Sequence, residues 1–285
     1  MSVLHKIYLR LRRRVCRPDR EFESARAELL ASDKLTPEEG ALLGEVSLKI
    51  HPKDEMYVPT GARHYLNVGL SAMRCIEKAL DASPQEGGIR SILDFPCGYG
   101  RVLRFIRARF PDATISAGET NLAALNFCED EFHVRPVVST EKFSDVERSG
   151  PFDLIWCGSL LTHIPEEDST ELLRLFFDSL APGGVCVFTT HGEVMVKEIG
   201  NQAKTRALTM ASRNRILSDY AKGGYGYADY RGCSGYGLSL STRERVRAMA
   251  REVGPWNEVL YWESGWDNRQ DVFAWAKRKP GTPNS

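Results

Sequence analysis

Paired cysteines, an excess of charge of either sign and long apolar runs are all missing from this 285-residue chain. Its seven cysteines, Cys16, Cys75, Cys97, Cys128, Cys157, Cys186 and Cys233, are scattered, with no C-x-x-C pair and no histidine at finger-like spacing. The pattern predicts no metal site and a reducing, cytoplasmic setting in which free thiols pack as small hydrophobes. Lysine plus arginine number 38 and aspartate plus glutamate also 38. No net field therefore draws the chain to a polyanion, and nucleic acid is not an expected partner.

Nothing approaches the roughly 18 consecutive apolar residues of a membrane span. The opening "MSVLHKIYLRLRRRVCR" has basic residues on both sides of a few apolar ones, without the apolar core and small-residue cleavage site of a leader. A solvated or packed amphipathic helix is its plain reading. Contact of residues 1–17 with an anionic membrane surface or an anionic partner is the alternative.

What is present is a change of period. "LTPEEGALLGEVSLKI" carries Thr36, Pro37 and Glu39 as a capping box with proline at the first helical position. "HYLNVGLSAMRCIEKAL" repeats Tyr65, Gly69, Met73, Ile76 and Leu80 at helical spacing. Residues 1–85 are thus expected as a helical extension, closed by the breaker "SPQEGG" at 83–88. From residue 86 short apolar runs alternate with helical segments: "IRSILDF", "RVLRFIRARF", "ATISAGE", "NLAALNFCEDEF", "VRPVVS", "FDLIWCG", "EEDSTELLRLFFDSL", an "APGG" turn and "VCVFTT". Such alternation predicts an α/β, doubly wound, mainly parallel sheet covered on both faces. "WNEVLYWES" and "QDVFAWAKR" are expected to close it antiparallel, after a helix capped by Ser241 and Glu244. The tail "KPGTPNS" reads as disordered.

In a doubly wound sheet ligands collect outside the carboxyl ends of the strands, and the first strand-to-helix turn supplies the floor. Here that turn is "LDFPCGYGR", residues 93–101. A dinucleotide fingerprint would need glycine at position 103, where Leu103 stands, and no G-K-[ST] follows the glycines. Both phosphate cradles are incomplete, which points to an adenosine cofactor without a phosphate chain. Pro96 removes a backbone N–H but keeps its carbonyl, a loss that matters little for a ligand ammonium.

"ILDFPCGYGRV", with "ISAGET", "FDLIWCGSLLTHIP" and "SLAPGGVCVFTTHG" in that order, resembles the class I S-adenosylmethionine-dependent methyltransferases. The resemblance implies a seven-stranded Rossmann-like sheet over residues 86–285 and S-adenosyl-L-methionine as cofactor. Pro96 departs from the family's usual glycine. By the family's roles Asp94 holds the methionine amino group, Gly98 and Gly100 form the floor with Pro96 and Cys97, Glu119 takes the ribose hydroxyls, and Ser159 belongs to the loop after the fourth strand. Cys97 stands where the family has a small residue and is read as packing. Helices before the core often cover the cofactor in this family, so residues 56–69 are expected as a cap or as simple packing.

Methyl transfer needs a positioned acceptor, and a base only if the acceptor loses a proton. His163 in "LLTHIP" and His191 in "TTHG" both fall at the carboxyl edge and are the candidate bases; either could instead order its loop. His64, in the extension, is given no role. The polar and Gly/Tyr-rich stretch at about 193–237 is read as a lid-like insertion, with Tyr225, Tyr227, Tyr230 and Tyr236 contacting the acceptor, or else as a surface hairpin. The function expected is methyl transfer to a small-molecule or glycan acceptor, at a hydroxyl. The alternatives are a non-catalytic S-adenosylmethionine-binding partner subunit and, further off, an NAD(P)-dependent oxidoreductase. No sequence feature sets an oligomeric state.

Overall fold

Strand β1 (Ser91–Asp94) lies at the centre of a seven-stranded sheet because the chain leaves it in two directions. It runs first to β2 (Thr114–Glu119) and β3 (Arg135–Val138) on one side, then to β4 (Phe152–Cys157) and β5 (Leu180–Thr190) on the other. These five are parallel. The computed structural model describes residues 20–85, 87–140, 142–200 and 207–279; the basic segment 1–17 with Cys16, and the tail from residue 280, lie outside the described residues. Between β1 and β4 the winding reverses, which opens a crevice at their carboxyl ends.

Helices α1 (Arg20–Leu30), α2 (Pro37–Glu45) and α3 (Ala62–Ala82) precede the sheet. The Thr36 capping box forms as the sequence predicts. α4 (Leu103–Arg109) and α5 (Leu122–Phe132) follow β1 and β2, and α6 (Glu166–Ser179) follows β4. α7 (Glu193–Ile199) and α8 (Met210–Gly223) then lead to a separate hairpin, β6 (Tyr225–Asp229) and β7 (Gly237–Ser241). α9 (Arg243–Val253), β8 (Trp256–Trp266) and β9 (Gln270–Lys277) complete the chain, with β9 antiparallel between β5 and β8.

Side-chain alternation builds the core. Ile92, Leu154, Trp156, Val185 and Val187 face the layer of α3 and α4, while Leu93, Ile155, Cys157, Cys186 and Phe188 face the layer of α6 and α9. Each large apolar side chain so buried contributes about 1.5–3 kcal/mol. α3 places ten buried residues in the same core as the strands, so the helices before residue 85 and the sheet share one interior. Two local readings are corrected. Ser241 ends β7, and Thr242 caps α9 by accepting from the Arg245 N–H at 3.2 Å. The "APGG" residues lie within β5, at a register shift against β4, rather than forming a turn before it.

Candidate active site

Asp94, the last residue of β1, is 1% exposed and neither of its carboxylate oxygens has a hydrogen-bond partner among the described residues. Burial, and then the charge of Glu119, push its carboxyl well above the usual range. A buried carboxylate without a donor is costly unless a ligand supplies one. It opens onto a cavity of about 830 Å³ at the switch point, within the usual range for small-molecule sites.

The turn after Asp94 forms the cavity's floor. The Phe95–Pro96 peptide is cis, and the Cys97 N–H returns to the Gly118 carbonyl of β2 at 2.9 Å. Gly98 has φ +51°, lines the cavity, and would point a Cβ into open space. Gly100 differs: at φ +80° its Cβ position lies 2.3 Å from the Phe132 ring, and it is absent from the cavity lining. The second glycine therefore serves the close packing of this turn on α5, not the floor. Cys97 lines the cavity with its sulfur 3.9 Å from that of Cys128, which together with burial holds its thiol well above its ordinary pKa. That suits packing and not nucleophilic attack.

Glu119 ends β2 on the cavity wall. Its Oε1 accepts from the Thr120 N–H (2.8 Å), the Asn121 N–H (3.0 Å) and the Thr120 hydroxyl (3.0 Å), and its Oε2 from the Gly98 N–H (3.0 Å). Oε2, with one donor against three at Oε1, keeps room for a ligand hydroxyl. The helical extension also reaches the site. Asp54 lines the cavity and accepts from the Tyr65 hydroxyl at 2.7 Å. Arg104, 1% exposed, donates to the carbonyls of Gly100, Ser47 and Lys49 and so ties the floor to that extension.

A second chamber of about 300 Å³ adjoins the first, and four residues line both: Arg101, Ser159, His163 and Trp266. Ser159, at φ +66°, is held by its N–H to the Thr189 hydroxyl (2.8 Å) and by the Gln270 amide to its own hydroxyl (3.1 Å). Trp266 is 3% exposed and donates its indole N–H to the Val68 carbonyl at 3.1 Å. The Arg101 guanidinium lies 6.0 Å from the centroids of both Tyr65 and Trp266, and no hydrogen bond or ion pair engages it among the described residues. Burial lowers its pKa. Of these four, Ser159 and His163 were singled out from sequence and Arg101 and Trp266 were not; Arg101 was the accessible one, standing directly after the Gly98 turn.

His163 and His191 meet at this second chamber, their rings 6.0 Å apart and near perpendicular. The hairpin covers both. Gly237 N–H donates to the His163 carbonyl at 2.7 Å, and His163 Nδ1 lies 2.8 Å from the Gly237 carbonyl oxygen. A carbonyl only accepts, so Nδ1 carries the proton and Nε2 is left as an acceptor. His191, 5% exposed, repeats the arrangement with Nδ1 3.2 Å from the Ser239 carbonyl. Burial lowers the pKa of His163, and burial followed by His163 lowers that of His191 to about 3. Both are neutral near pH 7. His64 also lines the second chamber, 3.8 Å from Asp267.

The four tyrosines divide. Tyr230 lines the second chamber with its hydroxyl 3.1 Å from His163 Nδ1, and Tyr236 lines the first with its ring 5.0 Å from that of His163. Tyr225 is turned away, donating to the Ile164 carbonyl at 2.8 Å, and Tyr227 is bound to Asp229 at 2.5 Å on an outer face. Neither lines the chambers, because side chains along β6 do not face the junction. Among the described residues no group of three histidine, cysteine, aspartate or glutamate side chains is arranged to hold a metal, and no helix is long and apolar enough to cross a membrane.

A family model described as a methyltransferase domain matches residues 62–225. Ubiquinone biosynthesis O-methyltransferases from Psychrobacter cryohalolentis and Psychrobacter arcticus are each 25% identical over 146 residues, 50% of this chain and 53% of theirs. The chain thus spans about half the length of the curated relatives it matches. A Clostridium acetobutylicum S-adenosylmethionine-dependent methyltransferase aligns in structure over 73% of this chain and 90% of its own, at 14% identity and a TM-score of 0.50. A Pyrococcus horikoshii protein aligns over 78% and 97%, at 9% identity and a TM-score of 0.51. At such identities the structural likeness is one of fold, and it agrees with the mainly parallel seven-stranded sheet.

Proposed function

The chain belongs to the S-adenosylmethionine-dependent methyltransferase family, and from that premise we propose that it methylates a hydroxyl oxygen of a small molecule or glycan, with His163 as the base. The observation that carries the reading is the position of His163: neutral, with Nε2 unpartnered among the described residues, on the wall shared by both chambers. The O-methyltransferase names of the curated relatives support an oxygen acceptor.

The residues present fit the cofactor. Bound S-adenosylmethionine supplies an electrophilic methyl group on a positively charged sulfur. Asp94, with no other donor among the described residues, would receive the α-ammonium; Gly98 leaves the floor open; Glu119 Oε2 has a site left for a ribose hydroxyl. At the junction His163 Nε2 takes the proton of the acceptor hydroxyl and raises the nucleophilicity of its oxygen. The Gly237 carbonyl holds the imidazole in orientation as charge develops on it. Trp266, Tyr230 and Tyr236 supply flat apolar walls that exclude water around the acceptor.

Calorimetric titration of the purified chain with S-adenosylhomocysteine, beside NADH, tests the cofactor half. Labelled methyl transfer to hydroxylated metabolites, beside an RNA pool, tests the acceptor half. Binding of the former ligand alone, with label appearing on a metabolite oxygen, is the expected result. Label on RNA alone overturns the acceptor assignment. Tight S-adenosylhomocysteine binding with no turnover on any extract favours a non-catalytic binding subunit.

A further inference from the structure

The second chamber carries one acceptor more than the reaction needs. Methyl transfer to a hydroxyl requires a single base, yet two imidazoles present Nε2 there. The same strand orients both. β7 gives its Gly237 carbonyl to His163 Nδ1 and its Ser239 carbonyl to His191 Nδ1, while the N–H groups of Gly237 and Ser241 donate back to the main-chain carbonyls of His163 and His191. Each ring is thereby fixed as the tautomer with its proton on Nδ1. Neither Nε2 makes a hydrogen bond among the described residues, and no metal-holding group of side chains forms around them.

Two fixed lone pairs in one small chamber call for two donors on one ligand. A molecule with a single hydroxyl would satisfy one imidazole and leave the other buried and unmatched. Rings 6.0 Å apart are within reach of hydroxyls on adjacent carbons, each hydrogen bond spanning about 2.8 Å. Protonation would turn His191 into a donor, but burial keeps it neutral across the working pH range. Of the guanidinium groups lining the chamber, Arg269 is held by Glu198 at 2.5 Å and Arg101 lies 6.0 Å from the centroids of Tyr65 and Trp266; neither is hydrogen-bonded to an imidazole among the described residues.

We propose that the acceptor is a vicinal diol, one hydroxyl being deprotonated by His163 and methylated while its neighbour donates to Nε2 of His191. His191 is then the residue that selects a diol over a mono-alcohol. This deepens, and rests on, the methyl-transfer reading above. The shared chemistry is the diol itself, which an aromatic ring or a sugar could carry.

The test is binding of catechol against phenol, and of 1,4-anhydroerythritol, a cyclic sugar diol, against 3-hydroxytetrahydrofuran, to the full chain with and without saturating S-adenosylhomocysteine. The expected result is at least a tenfold preference for the diol in one of the two pairs, a ratio that falls to about one in His191→Phe and is partly kept in His191→Gln. Should the variants fail to fold, the wild-type protein still reports through its imidazole nitrogen resonances. The Nε2 signal of His191 should shift with the preferred diol and not with its mono-hydroxyl partner. Equal binding within both pairs, or a diol that leaves the His191 signal unmoved, overturns the proposal. S-Adenosylhomocysteine binding without diol selectivity leaves methyl transfer standing and removes the diol. Diol selectivity without S-adenosylhomocysteine binding does the reverse.

Discussion

His163 Nδ1 stands 2.8 Å from the carbonyl oxygen of Gly237, 74 residues further along the chain. The candidate base on the methyltransferase sheet is therefore oriented by a strand that is not part of that sheet. Replacing His163 by alanine should lower kcat by about 10²–10⁴-fold, the usual contribution of a positioned base, while S-adenosylhomocysteine affinity stays within about threefold. Because burial lowers its pKa and the neutral form is active, kcat/KM should rise with pH along an acid limb centred below 6.5 and then level. Initial rates from pH 4.5 to 8.5 check this; a limb centred above 6.5 would remove His163 as the base.

Asp94 predicts a proton count. Its raised pKa means that the free protein keeps a proton there to a higher pH than an ordinary aspartate does, and a ligand ammonium would expel it. Binding of S-adenosylhomocysteine should release protons and tighten as pH rises. Calorimetry in two buffers of different ionisation enthalpy reads this directly. Asp94→Asn should abolish the release and weaken binding by roughly 10- to 100-fold, the equivalent of a charge-assisted hydrogen bond of about 1.5–3 kcal/mol.

The two glycines of the turn should fail differently. Gly98→Ala places a methyl group in the cavity and should weaken cofactor binding with only a modest fall in Tm. Gly100→Ala drives that group into Phe132 and should cost about 1–3 kcal/mol of stability, read by urea unfolding. A stable Gly100→Ala protein with weakened cofactor affinity would reverse the assignment.

His191 should make the fold acid-sensitive. Its folded-state pKa of about 3 lies below the ordinary 6.5, so below pH 6.5 the unfolded chain binds a proton that the native state refuses. Stability is full above that pH and is lost as pH falls toward 3, at about 1.4 kcal/mol per pH unit in mid-window. His191→Phe should flatten the difference between urea melts at pH 7 and pH 5. An unchanged difference would place the sensitivity elsewhere.

The sheet and the first cavity's lining at the strand ends were legible in the sequence because both are local. Strand alternation is written in residues such as Ile92 and Leu93, and Asp94, Gly98 and Glu119 come from adjoining strand ends. Three things were not. Gly100 looks like a ligand glycine until Phe132, from the next helix, is seen beside it. Trp266 joins the second chamber only because β8 and β9 fold back beside β5. The tyrosines of the 225–236 stretch are equivalent in composition, and only the hairpin's placement separates Tyr230 and Tyr236 from Tyr225 and Tyr227.

β7 touches His163 and His191 through main-chain atoms alone, by way of Gly237, Ser239 and Ser241. Orientation of both imidazoles is accordingly indifferent to the side chains of β7 itself, whereas Tyr230, between the two strands of the hairpin, places its hydroxyl 3.1 Å from His163 Nδ1. Substitutions along β7 can reshape what the second chamber admits without disturbing those main-chain bonds, and Asp94, Gly98 and Glu119 of the first cavity need not change with them. The hairpin is the part of this molecule in which substrate preference can diverge while the reaction is inherited intact.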